Sequence, residues 1–131
     1  MQMRQVWVLA GLVVGAFALA GCQGDSQAPA TAIENYLAAK VESDVDAMTH
    51  LSCPDWEAQA QIEATSFASM DAQLDNVSCT TGAADGDYTL VSCTGQIVTT
   101  YQGENRTWSV GDHPYRALND DGEWLMCGYA P

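Results

Sequence analysis

Positive charge is scarce in this chain of 131 residues: four Lys and Arg stand against 17 Asp and Glu, a formal net charge of −13. Nucleic acid and anionic bilayer surfaces repel such a chain, so nucleic acid is excluded as a partner. The acid excess reads first as a solubility device. Chemistry-bearing motifs are missing as well. There is no Gly-rich phosphate loop, no H-E-x-x-H and no G-x-S-x-G. Asp44, Asp46, Asp55 and Glu57 gather near expected helix breaks, but no D-x-[DN]-x-[DN]-G calcium loop is present, and solvated helix ends explain them better. No C-x-x-C occurs, and the two histidines, His50 and His113, lie far apart. Structural zinc therefore lacks its usual close ligand pair, and neither metal nor cofactor is expected.

What is present begins at the N-terminus. Arg4 precedes an apolar run, Val6 to Ala20, that ends in small residues, Ala18, Ala20 and Gly21. A positive start, an apolar stretch of roughly fifteen residues and a small-residue end have the layout of a signal peptide. The run is short for a transmembrane helix, which needs about 20 apolar residues. "LAGC" (Leu19 to Cys22) resembles the lipobox of bacterial lipoproteins. That resemblance implies cleavage before Cys22 and acylation of it, with palmitate-like chains in the bilayer. One acyl chain binds only marginally; two or more give stable attachment. The implied organisation is a signal peptide over 1–21, a tether over 22–30 and one domain over 31–131. The implied address is the extracytoplasmic face of the cell membrane or outer membrane, with Gln23 leaving the leaflet open. An ordinary cleavable signal or an uncleaved anchor helix are the alternatives.

Four cysteines remain, Cys53, Cys79, Cys93 and Cys127. In a small exported domain they read as two disulfides with three possible pairings.

The first half of the domain reads as helical. Thr31 to Glu34 is a capping-box pattern, and Ile33, Leu37, Val41 and Val45 follow as one stripe. Ser43-Asp44 interrupts it and caps a short second helix through Met48 to Leu51. Cys53-Pro54-Asp55 opens a third, with Trp56, Ala60, Phe67 and Met70 as its apolar face. The second half changes period. Leu74 to Thr81 and Tyr88 to Tyr101 are rich in Val, Thr and Tyr and flank "GAADGD", a hairpin signal. "QGEN" turns into a strand over 106–118, where Gly111 and Pro114 predict a bulge or bend. "NDDG" turns into Glu123 to Tyr129. The pattern is α+β: N-terminal helices on a curved four-stranded antiparallel sheet. A turn near Asp85 or Gly86 sets Cys79 opposite Cys93, leaving Cys53 to pair with Cys127.

"AIENYLAAKVESDVDAMTHL" (Ala32 to Leu51) and "ALNDDGEWLMCGY" (Ala117 to Tyr129) resemble the opening helix and final hairpin of NTF2-like domains. That resemblance implies a sheet curled into a cone around a pocket. A cone of this kind serves enzymes, binders and assembly modules alike, so it licenses no one activity.

Each candidate residue has a plainer explanation beside it. Asp112-His113 is an adjacent acid and imidazole, a general-base pair if both enter the pocket. Neighbours on a strand point to opposite faces, and "GDHP" reads first as a bend. Trp56, Trp108 and Tyr115 line a pocket or fill the core, as Trp124 is expected to do. "NVS" and "NRT" match a glycosylation pattern by chance. The reading favoured is a membrane-anchored extracytoplasmic binding or interaction domain for a small ligand or an envelope protein. The alternatives are a small isomerase- or hydrolase-type enzyme using His113 with an acid, and a structural envelope component, as a homodimer through its sheet.

Overall fold

The computed structural model describes residues 26–131. The signal peptide over 1–21 and Cys22 lie outside the described residues. Among the described residues, no helix is long and apolar enough to cross a membrane.

Three helices precede the sheet: α1 (Ala28–Val41), α2 (Val45–His50) and α3 (Glu57–Ala64), with a single 3₁₀ turn over Pro54–Trp56 leading into α3. The first helix starts earlier than its capping-box pattern predicts, so residues 28–30 are its first turn and not tether. Pro29 explains this. In a first turn its missing N–H is not needed, and its fixed φ suits the helix. Thr31 is already internal, its N–H donating to the Gln27 carbonyl (2.9 Å). Glu34 does not reach back to close a box. Its Oε1 accepts the Cys79 backbone N–H (2.9 Å) across the domain. Ser43, with φ 55°, ends the stripe. Val45 therefore belongs to α2, where it is exposed rather than part of the buried face. Asp44 caps α2 as expected, accepting the Ala47 N–H (3.0 Å).

The sheet is antiparallel with five strands: β1 (Asp71–Asp85), β2 (Tyr88–Tyr101), β3 (Glu104–Ser109), β4 (Tyr115–Asp120) and β5 (Glu123–Tyr129). Its order is β1-β2-β4-β5, and β3 also pairs with β2. The α+β class is as the sequence reads. The strand count differs, because the segment over 106–118 is two strands. Both lie along one edge of β2, β3 against Gln96 to Tyr101 and β4 against Tyr88 to Val91. Gly111 and Pro114 fall in the connection between them, where the bend was expected. Neither residue continues a ladder well, so the chain leaves β2 and returns to it.

The β1–β2 hairpin is also tighter than "GAADGD" predicts. Ala84 and Asp85 stay paired with Thr89 and Tyr88, and only Gly86 and Asp87 form the loop. Gly86 at φ 62° makes a two-residue reversal sufficient. The register sets Cys79 opposite Cys93. It slips at Asn76, which bulges at φ 52° against Gly95 at φ 101°. A Cβ on Gly95 would collide with the Asn76 carbonyl, so only glycine fits.

The Cys79–Cys93 and Cys53–Cys127 pairs both lie at disulfide distance, the first as the hairpin register predicts and the second as the pair then left over. The second joins the helical half to β5. Beside it, Cys53 N–H donates to Met126 O (2.8 Å) and Met126 N–H to Leu51 O (2.7 Å). The free edge of β5 is thus covered by the segment after α2, and Glu34 covers part of the β1 edge. Ile33, Tyr36, Leu37, Met48, Val91 and Met126 are the largest fully buried side chains, so the core lies between α1, α2 and the sheet. Trp124 packs against that core, half-buried, and Leu125 and Met126 are both buried.

Candidate functional site

A cavity of about 260 Å³ lies between α1, the segment after α3 and the β3–β4 connection. Leu37 and Lys40 face it from α1, Phe67 from the segment after α3 and Ile97 from β2. Trp108, Tyr115 and Tyr129 supply the aromatic wall, and Asp112 and His113 stand at the connection. The bend at Gly111 and Pro114 is what brings residues 108–115 around one space.

The polar groups behind this cavity converge on one carboxylate. Glu63 is buried, 8% exposed, on the inner face of α3 with Ala60 and Ala64. Its Oε2 accepts from the Tyr36 hydroxyl (3.0 Å) and from Lys40 Nζ (3.2 Å). The Tyr129 hydroxyl lies 3.1 Å and 3.0 Å from its two oxygens. Trp56 supports the cluster from behind, its Nε1 donating to the Tyr36 oxygen (3.1 Å). Its ring meets that of Tyr129 edge-on, with centroids 5.6 Å apart. A buried carboxylate is tolerable only with such partners. Burial, and next the negative charge of Glu63, push the phenols of Tyr36, Tyr115 and Tyr129 well above their ordinary range. Asp112 adds to this at Tyr115. The Tyr115 hydroxyl donates to the Val110 carbonyl (2.6 Å), which pins the β3–β4 connection.

Trp108 is the opposite kind of residue. It is 47% exposed, and its indole N–H donates to Thr99 Oγ1 (3.1 Å), a hydroxyl that is itself buried. Phe67 packs against it with ring centroids 6.4 Å apart. Its other side borders a second cavity of about 270 Å³, with Met70, Tyr101 and Arg106.

The fold therefore brings four of the sequence candidates, Trp108, Asp112, His113 and Tyr115, to one cavity. It does not bring Trp56 there; the indole N–H of Trp56 is drawn to Tyr36 and its ring closes the core. Asp112 and His113 line the cavity exposed, and no hydrogen bond joins them. Lys40, Glu63 and Tyr129 are not among the site residues the sequence points to, and Phe67 is expected only on the apolar face of the third helix. A signal existed for two of them. Lys40 continues the Ile33–Tyr36–Leu37 face of α1, and Glu63 sits on the Ala60–Ala64 face of α3. A charge on a helix's apolar face needs a buried partner, and these two are each other's. Among the described residues, no group of three or more His, Cys, Asp or Glu is placed to hold a metal ion.

No family model and no curated protein matches the chain. Among solved structures the chain is similar to a SEC-C motif containing protein from Rhodopseudomonas palustris, determined in solution. The TM-score is 0.53 at 10% identity, over 80% of this chain and 79% of that one. The likeness is one of fold. It overturns the family reading: membership of a lipoprotein family with an NTF2-like domain is not upheld. The reason is physical. The stretches over 32–51 and 117–129 are an apolar-faced helix with a break and a hairpin with a two-residue turn. Many unrelated α+β domains build these parts, so they carry architecture and no family.

Proposed function

We propose that this chain is an extracytoplasmic binding domain that takes a small ligand in the cavity walled by Trp108, Tyr115 and Tyr129. One observation carries the reading. The cavity is mainly apolar and aromatic, while the polar groups beneath it are tied to Glu63 and hold its floor. Ligand sites have this composition, and against their usual volumes of about 300–1,000 Å³ this one falls just below the range, which suits only a small ligand. The two disulfides fit an oxidising compartment. The apolar run Val6 to Ala20 and Cys22 support attachment at a membrane, the domain facing outward.

The test is native mass spectrometry of the full chain, with a panel of small cations, neutral compounds and acids. A bound small molecule that Trp108→Ala abolishes is the expected result. A chain that takes none of the panel, with its fold intact, contradicts the reading. The same spectra report oligomeric state. Exposed Tyr101 and Trp108 on neighbouring strands favour a homodimer through the β2–β3 face as the second reading. Attachment is tested separately. Cys22→Ser should release the protein from membranes, and continued retention makes Val6 to Ala20 the anchor. The enzyme alternative has Asp112 and His113 in the lining but no bond between them to orient a base. His113→Ala is expected to leave the biological role intact.

A further inference from the structure

Which chemistry the cavity would accept follows from what its walls have left to offer, an argument that rests on the binding reading above. Four of its side-chain hydrogen-bond donors are already committed inward, and only the exposed His113 ring and the Ser109 O–H remain uncommitted. Lys40 Nζ lies on Glu63, as does the Tyr129 hydroxyl. The Tyr115 hydroxyl is on Val110 O, and the Trp108 N–H is on Thr99. Ser109 Oγ accepts the Gly111 N–H (3.1 Å), and its own O–H is not used in that bond. An anionic ligand would find the one ammonium in the lining neutralised by a buried carboxylate. The acceptor side is different. The Asp112 carboxylate makes no hydrogen bond or ion pair among the described residues, yet its charge acts on Tyr115 in the cavity wall. Rings wall the rest: Phe67 with Trp108, and Tyr115 with Tyr129 at a centroid distance of 5.1 Å. Aromatic faces are negative, and several of them with one carboxylate form a cage for a cation. The net charge of −13 raises the local concentration of such a ligand.

We infer that the cavity between α1 and the β3–β4 connection binds a small organic cation, of the quaternary or tertiary ammonium class. The methylated ammonium contacts the rings of Trp108, Tyr115 and Tyr129, and Asp112 supplies the counter-charge. Such a group sheds water more readily than a compact ammonium or a metal ion, which suits a mainly apolar lining.

The experiment titrates the full chain with choline and with dimethylbutanol, its uncharged carbon isostere, at matched ionic strength, following tryptophan fluorescence. Choline is expected to bind about tenfold more tightly than the alcohol, the size of a partly desolvated cation–π contact. Trp108→Ala should abolish binding. Asp112→Asn, at an exposed site where folding is not at risk, should weaken choline and leave the alcohol unchanged. Equal affinity for the two compounds overturns the cation inference and leaves the binding reading standing. Failure of choline to bind while neutral compounds of the wider panel do has the same meaning. Failure of every compound overturns both.

Discussion

Glu63, behind the cavity, and Asp112, in its lining, are two carboxylates that the fold treats oppositely. Glu63 is buried and accepts from two phenols and an ammonium. Asp112 is exposed at the lining and holds no partner among the described residues. The same contrast divides the two indoles. Trp56 is locked between Tyr36 and Tyr129, whereas Trp108 stands half in solvent with its N–H on Thr99. What the difference teaches is a division of labour. The floor is a satisfied polar network that fixes α1, α3 and β5 together, and the wall is left open to interact.

The largest effect should come from breaking the floor. Glu63→Ala leaves the Lys40 ammonium without its counter-charge at a side chain only 17% exposed, and removes the acceptor of two phenols. Orphaning one partner of such a pair costs about 3–5 kcal/mol. A fall in Tm of 10 °C or more in thermal melts is the expected result for a domain of this size. A melt within a few degrees of the parent would make the network ornamental.

The two disulfides sharpen the comparison next. Cys53–Cys127 spans 74 residues and ties the floor to β5, while Cys79–Cys93 spans 14 within one hairpin. In the chain-entropy account the longer loop contributes more by about 1.4 kcal/mol. Denaturant midpoints of the two double Cys→Ser variants should differ in that order, and the reverse order would show that strand pairing rather than loop closure governs the front–back joint.

The floor should also fail at high pH. Tyr36, Tyr115 and Tyr129 keep their protons in the folded state well above the ordinary phenol value of 10.0, chiefly through burial and then through Glu63. The unfolded chain ionises near pH 10, so the native state binds more protons than the unfolded state above that point. Stability from these groups is full below about pH 10 and declines as pH rises beyond it. Absorbance of phenolate should therefore rise in step with loss of circular dichroism. Three phenols ionising while the fold stays intact would contradict the buried cluster. The smallest effect belongs to the wall: Asp112→Asn should change stability by no more than about 0.5 kcal/mol, as exposed sites do.

Much of the architecture was legible from the residues. Period and turn chemistry predicted helices before strands, and hairpin arithmetic set Cys79 opposite Cys93. The split of β3 from β4 was half visible, since Gly111 and Pro114 announce a bend but not where the chain rejoins β2. The cavity was visible only in part. Trp108, Asp112, His113 and Tyr115 are close in sequence, and a bend gathers them. Lys40, Glu63 and Tyr129 come from distant elements, and no local pattern predicts that three helix and strand faces meet at one carboxylate. Family was the reading that failed. A capped helix and a tight final hairpin are demanded by backbone physics in many unrelated chains, so their presence over 32–51 and 117–129 does not discriminate among them.

The division between floor and wall can be measured at its two indoles. In a choline titration of the full chain followed by NMR, the Trp108 indole N–H resonance should move with ligand while that of Trp56 stays nearly fixed. Movement of Trp56 with a static Trp108, or no movement of either, would contradict the account.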